Sequence, residues 1–429
     1  MSLNKIVVTG GRELNGTVKI GGAKNAAVAI IPATILARGR CVLENIPNVN
    51  DVTLLLRMLT EMGATVKMLG KKTVEIDTTH ITEPVVPYDM AKDMRASYYF
   101  LGSLLGRCHR ASVSMPGGCN FGVRPIDQHI KGFEAMGAEV EIENGMINAR
   151  ADSLGGAHIY FDVVSVGATM NVMLGACRAQ GLTILENVAK EPHIVDLANF
   201  LNSMGADIRG AGTDVIKIRG VDVMHGVHYT IIPDQIEAGT YMAAVAATGG
   251  NVLIQNIIPK HMEPITAKLR MAGVSVEEGD DWLRIIRHGP IHAINVRTRP
   301  HPGFPTDMQP QMAAMLVTAE GTSIITEGVW DNRFRYVNEL THMGAAITVD
   351  GKVAVIVGSK ELTGAPVRAT DLRGGAAMII AGLIARGTTE IEEIIHIERG
   401  YEEVVEKFAG LGADIRRVTV PDAAIAEAR

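Results

Sequence analysis

Glu61-Met62-Gly63-Ala64-Thr65-Val66 is answered five times along the chain: by Ala135-Met136-Gly137-Ala138-Glu139-Val140, Ser203-Met204-Gly205-Ala206-Asp207-Ile208, Met271-Ala272-Gly273-Val274-Ser275-Val276, His342-Met343-Gly344-Ala345-Ala346-Ile347 and Gly410-Leu411-Gly412-Ala413-Asp414-Ile415. The glycines stand 74, 68, 68, 71 and 68 residues apart, so six copies of one unit make up the chain. Each glycine follows an amphipathic segment, such as 196–204 or 401–411, and precedes an alternating apolar one. That is the pattern of a helix C-cap feeding a strand, because glycine reaches the left-handed backbone conformation without steric cost.

Upstream of the amphipathic helix lies a second helical segment, apolar and rich in small residues, suited to burial on all sides. It closes at Ala37-Arg38-Gly39, Ala179-Gln180-Gly181, Ala247-Thr248-Gly249, Ala319-Glu320-Gly321 and Ala385-Arg386-Gly387, and a short strand such as Cys41-Val42-Leu43 or Thr183-Ile184-Leu185 follows. The second copy departs from this, with Gly106-Arg107-Cys108-His109 in place of the closure and a glycine-rich loop after its strand. The sixth copy lacks a hairpin partner, whereas Lys5-Ile6-Val7-Val8-Thr9 is a strand without a copy. The N-terminus is therefore predicted to complete the sixth unit.

Six units of this size exceed one core and predict two domains of three repeats. The boundaries fall near 20 and 230, where Ile232-Pro233-Asp234 interrupts the pattern. One domain is thus expected over 20–230, and a discontinuous one over 1–19 and 231–429. A continuous solenoid is disfavoured, since the terminal copies show no polar capping unit. A double crossing invites hinge motion, with the active site expected in the cleft between the domains.

Aliphatic residues, alanine and methionine must fill the cores, for aromatics make up only 4% of a chain that is 47% hydrophobic. The longest clean apolar run, Ala376 to Ala385, falls far short of the roughly 20 residues of a membrane span, and no signal-peptide pattern opens the chain, so a cytoplasmic location is expected. A net charge of −6 argues against nucleic acid or an anionic membrane as partner. The four cysteines (Cys41, Cys108, Cys119, Cys177) lack metal-ligand spacing and read as reduced thiols, three of them in the core. No phosphate-binding glycine loop or dinucleotide fingerprint is present, so neither a metal nor a cofactor is expected.

Chemistry concentrates in Met115-Pro116-Gly117-Gly118-Cys119-Asn120-Phe121-Gly122-Val123-Arg124-Pro125-Ile126-Asp127. The proline and glycines favour a solvent-reachable turn, and Arg124 both favours a thiolate at Cys119 and offers a grip for an anion. Other charged residues occupy repeat-equivalent places: Lys24-Asn25, Arg95, Asp307 and Arg373 head the buried helix in copies one, two, five and six, while Arg124, Arg333 and Arg399 precede the repeat glycine in copies two, five and six. Singly, each reads as a solvated helix-start residue, and Asp307 as an N-cap. As a set at helix N-termini they suit a small substrate carrying both carboxylate and phosphate, with Asp307 a candidate base.

These residues resemble the enolpyruvyl transferase family, in particular its sugar-nucleotide branch, over essentially the whole chain. The marks are Gly21-Gly22-Ala23-Lys24-Asn25-Ala26, Met94-Arg95-Ala96-Ser97, Pro116-Gly117-Gly118-Cys119, Arg124-Pro125-Ile126-Asp127, Val164-Ser165-Val166-Gly167-Ala168-Thr169, Phe304-Pro305-Thr306-Asp307-Met308-Gln309, Asn332-Arg333-Phe334, Ala369-Thr370-Asp371-Leu372-Arg373 and Arg399-Gly400-Tyr401. The resemblance implies an inside-out α/β barrel of two domains, each with three βαβαββ-like repeats in pseudo-threefold symmetry. It also implies transfer of the enolpyruvyl group of phosphoenolpyruvate to the 3′-hydroxyl of UDP-N-acetylglucosamine, by addition and elimination, as the committing step of peptidoglycan synthesis.

By the same resemblance Cys119 is the general acid towards the phosphoenolpyruvate methylene, able to form an adduct with that substrate and to be alkylated by fosfomycin. Asp307 is the base at the sugar hydroxyl. Lys24, Arg124 and Arg399 face the phosphate, and Arg333 and Arg373 the carboxylate. Lys24, Asn25, Arg95, Arg124, Pro125, Ile126, Asp127, Gln128, Val163, Val164, Ser165, Val166, Asp307 and Val329 match substrate-binding positions. Val163 replaces a frequent lysine of the family, which puts one nucleotide contact in doubt, and Tyr99 stands where a tryptophan can follow Arg-Ala-Ser. The related transferase acting on shikimate 3-phosphate is the nearest alternative, and a non-catalytic sugar-nucleotide sensor is an alternative of another class.

Overall fold

A computed structural model describes residues 3–81, 83–91, 94–115, 126–358 and 361–420. The Cys119 loop from 116 to 125 and the alanine-rich tail from 421 lie outside the described residues. The chain divides into two compact units, Gly22–Ile232 and Met1–Gly21 with Pro233–Arg429, each with its own hydrophobic core.

Six helices, one per repeat, form the centres of these cores: α1 (Lys24–Ala33), α2 (Tyr99–Cys108) and α3 (Val166–Ala176) in the first unit, α4 (Gln235–Thr248), α5 (Gln309–Leu316) and α6 (Leu372–Ile384) in the second. They are apolar around their whole circumference, which is why they are buried around it. Small residues permit close approach, since a Cβ on Gly102 of α2 would stand 2.1 Å from the Asn171 carbonyl oxygen of α3.

The sheets repeat one topology. In the fifth copy Asn295–Arg297 runs parallel to Thr322–Thr326, which is antiparallel to Val353–Val357, itself antiparallel to Ala346–Asp350. His158–Tyr160, Leu182–Glu186, Val215–Arg219 and Asp207–Arg209 follow the same order, as do Leu14–Lys19, Gly250–Gln255, Trp282–Arg287 and Ser275–Glu278. So do His228–Thr230, Arg40–Glu44, Thr73–Asp77 and Thr65–Gly70. Burial alternates along the strands, as in Leu182–Glu186, so one face packs inward and the other meets solvent.

The N-terminal strand Leu3–Thr9 does complete the sixth copy: it lies between Thr388–Glu392 and Asp414–Val420, antiparallel to both. In the second copy the parallel edge strand shrinks to a single bridge between Val85 and Ser112. Each sheet is open, and among the described residues no sheet closes on itself. Mixed α/β architecture is therefore observed, with separate sheets around helices rather than one continuous barrel wall.

All six repeat glycines adopt left-handed φ values, between 91° at Gly137 and 103° at Gly205. The closing turn of the second copy is made by His109 at φ 57°, which explains how that copy dispenses with a glycine. Cys41 and Cys177 are buried as expected, but Cys108 is only half-buried, because it ends α2 at the surface.

Candidate active site

An aspartate stands at the head of each buried helix of the second unit, and the three behave differently. Asp234 caps α4 by accepting from the amides of Ile236 and Glu237 at 2.8 and 3.1 Å. Asp371 caps α6 through the amides of Arg373 and Gly374 at 2.9 and 3.1 Å. Asp307 is not the N-cap residue: it lies within a short 3-10 turn, Thr306–Met308, that precedes α5, and the N-cap positions fall to Pro305 and Met308. The N-cap reading of the isolated residue is thereby corrected.

The Asp307 carboxylate instead reaches two arginines. Its Oδ2 accepts from Nε and Nη2 of Arg373 at 3.2 and 3.1 Å, and its Oδ1 from Nη2 of Arg333 at 3.3 Å. Both guanidinium groups have side chains only 3% exposed, whereas Asp307 is 31% exposed. Buried cations without compensation would be costly, so the carboxylate is the group that makes their burial tolerable. Burial opposes the charge of Arg373, but the attraction of Asp307, with Tyr401 and Asp234, outweighs it and raises the pKa further.

Around this triad the backbone is held by residues that the sequence did not single out. Glu327, 1% exposed, accepts from the amides of Val329 and Trp330 at 2.8 and 3.1 Å and from the Thr306 hydroxyl at 3.0 Å. It ties the Val329 turn to the residue preceding Asp307. Arg399 follows the short helix Ile395–Glu398, half-buried, two residues before Tyr401.

In the first unit, Lys24 begins α1 and its Nζ lies 2.8 Å from Oδ2 of Asp51, with both side chains largely buried. Asp51 was not legible as a site residue, because an acid in the first turn of a helix is an ordinary favourable placement. Asn25 is the next residue of α1, and Arg95 opens the 3-10 turn that runs into α2.

Two expected binding segments meet through one side chain. Gln128 donates to Oδ2 of Asp162 at 3.1 Å and accepts from the Asp162 amide at 2.9 Å, while Lys131 Nζ pairs with the same carboxylate at 2.9 Å. The start of the helix Asp127–Ala135, capped by Ile126, is thus fixed to the turn that carries Val163 to Val166. Val163 and Val164 are exposed at 56% and 42%, unusual for branched apolar side chains, and Ser165 caps α3 by accepting from the Ala168 amide. Cys119, Arg124 and Pro125 lie outside the described residues. No group of three His, Cys, Asp or Glu gathers as a metal-ligand set among the described residues, and no described helix is long and apolar enough to cross a membrane.

Comparison with known proteins places these features in context. A family model described as EPSP synthase (3-phosphoshikimate 1-carboxyvinyltransferase) matches residues 8–408. The chain is 57% identical over 416 residues to UDP-N-acetylglucosamine 1-carboxyvinyltransferase 3 of Caldanaerobacter subterraneus subsp. tengcongensis, covering 97% of this chain and all of that one. Identity to the UDP-N-acetylglucosamine 1-carboxyvinyltransferase of Clostridium botulinum is 56% over 417 residues, again 97% of this chain and all of the other. Among solved structures, the enolpyruvyl transferase NikO from Streptomyces tendae superposes with a TM-score of 0.88 at 26% identity over 98% of this chain and all of that one. EPSP synthase from Acinetobacter baumannii shares the fold, with a TM-score of 0.76 at 18% identity over 97% of this chain and all of the other.

Proposed function

We propose, for a chain that belongs to the EPSP synthase family of enolpyruvyl transferases, the reaction of its sugar-nucleotide branch. The protein is a UDP-N-acetylglucosamine 1-carboxyvinyltransferase: it transfers the enolpyruvyl group of phosphoenolpyruvate to the 3′-hydroxyl of UDP-N-acetylglucosamine and releases phosphate. Its cellular role is the first committed step of peptidoglycan synthesis in the cytoplasm. The structural observation that carries the reading is the diversion of Asp307 from helix capping to a carboxylate held by two buried guanidiniums.

In this reading Cys119 protonates the methylene of phosphoenolpyruvate, and the adjacent carbon becomes electron-poor. The sugar hydroxyl attacks that carbon while Asp307 accepts its proton, giving a tetrahedral intermediate. Loss of a proton from the new methyl group, as the bond to phosphate breaks, regenerates the vinyl ether. Such an electron-poor centre needs a placed nucleophile and exclusion of competing water. Lys24, Arg124 and Arg399 hold the phosphate, and Arg333 and Arg373 the carboxylate. Asn25 belongs to the substrate-binding set, and Arg95, the residues 124–128, the turn 163–166, Asp307 and Val329 receive the sugar nucleotide.

Phosphate release measured with phosphoenolpyruvate and each acceptor separately tests the assignment. Turnover is expected with UDP-N-acetylglucosamine, and turnover with shikimate 3-phosphate alone would overturn it. Intact-mass analysis after exposure to phosphoenolpyruvate or fosfomycin should show an adduct that Cys119→Ser abolishes and that Cys119→Asp avoids while retaining activity.

A further inference from the structure

The loop that delivers Asp307 is fastened at both of its ends to one tight turn. Thr298, fully buried, follows the strand Asn295–Arg297, and Glu327 follows the neighbouring parallel strand Thr322–Thr326. At the first end the Thr298 hydroxyl oxygen accepts from the Gly328 amide at 2.8 Å. The approach is so close that a Cβ on Gly328 would stand 2.4 Å from the Thr298 carbonyl oxygen, which leaves room for glycine alone. At the second end the Thr306 hydroxyl donates to Oε2 of Glu327 at 3.0 Å, while Oε1 of the same carboxylate accepts from the amides of Val329 and Trp330 at 2.8 and 3.1 Å. Amides can only donate and a carboxylate only accepts, so the direction of each of these bonds is set by its atoms.

Glu327 is 1% exposed, and the three groups that donate to it are uncharged. A buried carboxylate met by neutral donors is an expensive way to close a turn, which asparagine or serine would cap at lower cost. What glutamate adds is a second oxygen, on a longer side chain, that reaches another segment. Here that segment is Pro305-Thr306-Asp307, and Pro300, Pro302 and Pro305 limit the torsional freedom between the two fastenings. The consecutive amides at 328, 329 and 330 are all spent on side chains, so the turn cannot drift without breaking a hydrogen bond to a buried oxygen.

Asp307 and Val329, on the two segments joined in this way, are 31% and 37% exposed, open enough for a ligand to reach both. We propose that Glu327 is a positioning residue for the acceptor: bonded to Thr306 on one side and to the amides of Val329 and Trp330 on the other, it holds Asp307 and Val329 at the spacing that one bound sugar nucleotide spans. The inference rests on the reading of Asp307 and Val329 as contacts of UDP-N-acetylglucosamine and extends it to a residue behind the site.

Calorimetric titration of the full chain with UDP-N-acetylglucosamine alone, together with steady-state kinetics, tests it. Glu327→Ala removes both oxygens. The Kd for UDP-N-acetylglucosamine should rise about tenfold and kcat fall by about tenfold or more, while the KM for phosphoenolpyruvate stays within about twofold. Glu327→Gln keeps one acceptor for the amides and can donate to the Thr306 oxygen, so its Kd should remain within about threefold of wild type. Unchanged binding in Glu327→Ala, equal losses for both substrates, or a Glu327→Gln variant as impaired as Glu327→Ala would overturn the proposal. Should Glu327→Ala fail to fold, Thr306→Val must reproduce the selective weakening and Thr306→Ser must not, and any other result overturns it. A wild-type chain that binds no UDP-N-acetylglucosamine would overturn the functional reading and this inference with it, whereas wild-type binding with unselective variants overturns the inference alone.

Discussion

The Tyr229 hydroxyl donates to Oδ1 of Asp196 at 2.6 Å, and the Ile232 amide donates to the second carboxylate oxygen at 3.3 Å, where the chain is about to leave the first unit. Burial pushes the Asp196 carboxyl up from 3.8 to about 6, and the two donors only partly oppose that.

A folded-state pKa above the unfolded one means that the folded protein holds this proton more tightly. The stabilisation is fully present below pH about 4 and is lost as pH rises through about 6. The wild type should lose roughly 3 kcal/mol relative to Asp196→Asn between pH 4 and 8. Urea unfolding at several pH values checks this, and a pH-independent difference between the two proteins would contradict it.

Asp307 compensates two buried guanidiniums, so Asp307→Ala should damage both turnover and stability. Turnover is expected to fall at least a hundredfold, and stability by about 3–5 kcal/mol, because Arg333 and Arg373 are left facing each other. Asp307→Asn should lose comparable turnover at a smaller cost in stability. Activity within about tenfold of wild type in both variants would exclude an essential base.

Val8, fully buried, pairs with Thr389 on one side and Ile415 on the other. Removing residues 1–9 leaves two strands without the one between them, so the unit containing Pro233–Arg429 should lose its cooperative thermal transition. A melting temperature within about 2 °C of the full chain would show that the strand is dispensable.

Burial pushes the thiol of Cys41 up to about 11 and that of Cys177 up to about 12. Iodoacetamide at neutral pH should leave both unmodified in the folded protein and label them only on unfolding, since the thiolate is the reactive form. Peptide mapping that found either one labelled as fast as in urea would refute the burial argument.

Alanine at Gly102 would bring its Cβ within 2.1 Å of a backbone oxygen and 2.5 Å of the Asn171 side-chain oxygen. That side-chain oxygen also accepts from the Gly102 amide at 2.8 Å, so retreat would break a buried hydrogen bond. Gly102→Ala should cost at least about 2 kcal/mol in urea unfolding, and an unchanged midpoint would mean that α2 and α3 are free to separate.

The repeat was legible because local backbone demands leave local marks. Gly63, Gly137, Gly205, Gly273, Gly344 and Gly412 announce left-handed turns, and alternation or all-round apolarity announces strands and buried helices. Even the N-terminal strand was placed by subtraction, since Lys5–Thr9 was a strand without a copy and the sixth unit a copy without a strand. The positions of Lys24, Asp307, Arg333 and Arg373 at or beside helix starts were also readable from the repeat, whereas Arg399, expected near the start of its copy's second helix, instead ends the short helix Ile395–Glu398, ahead of Val404–Gly410.

Which of those residues pair was decided only in three dimensions. Asp307 reads as an N-cap in isolation, yet Asp234 and Asp371 are the N-caps of α4 and α6, while Asp307 lies inside a 3-10 turn and its carboxylate binds two arginines. Lys24 finds Asp51, and Tyr401 finds Thr240 across 161 residues of sequence. Sequence dictates torsion angles and which face of an element is apolar, and those act over a few residues. Partnerships between polar side chains depend instead on how three buried helices converge, a geometry that exists only once the core has packed.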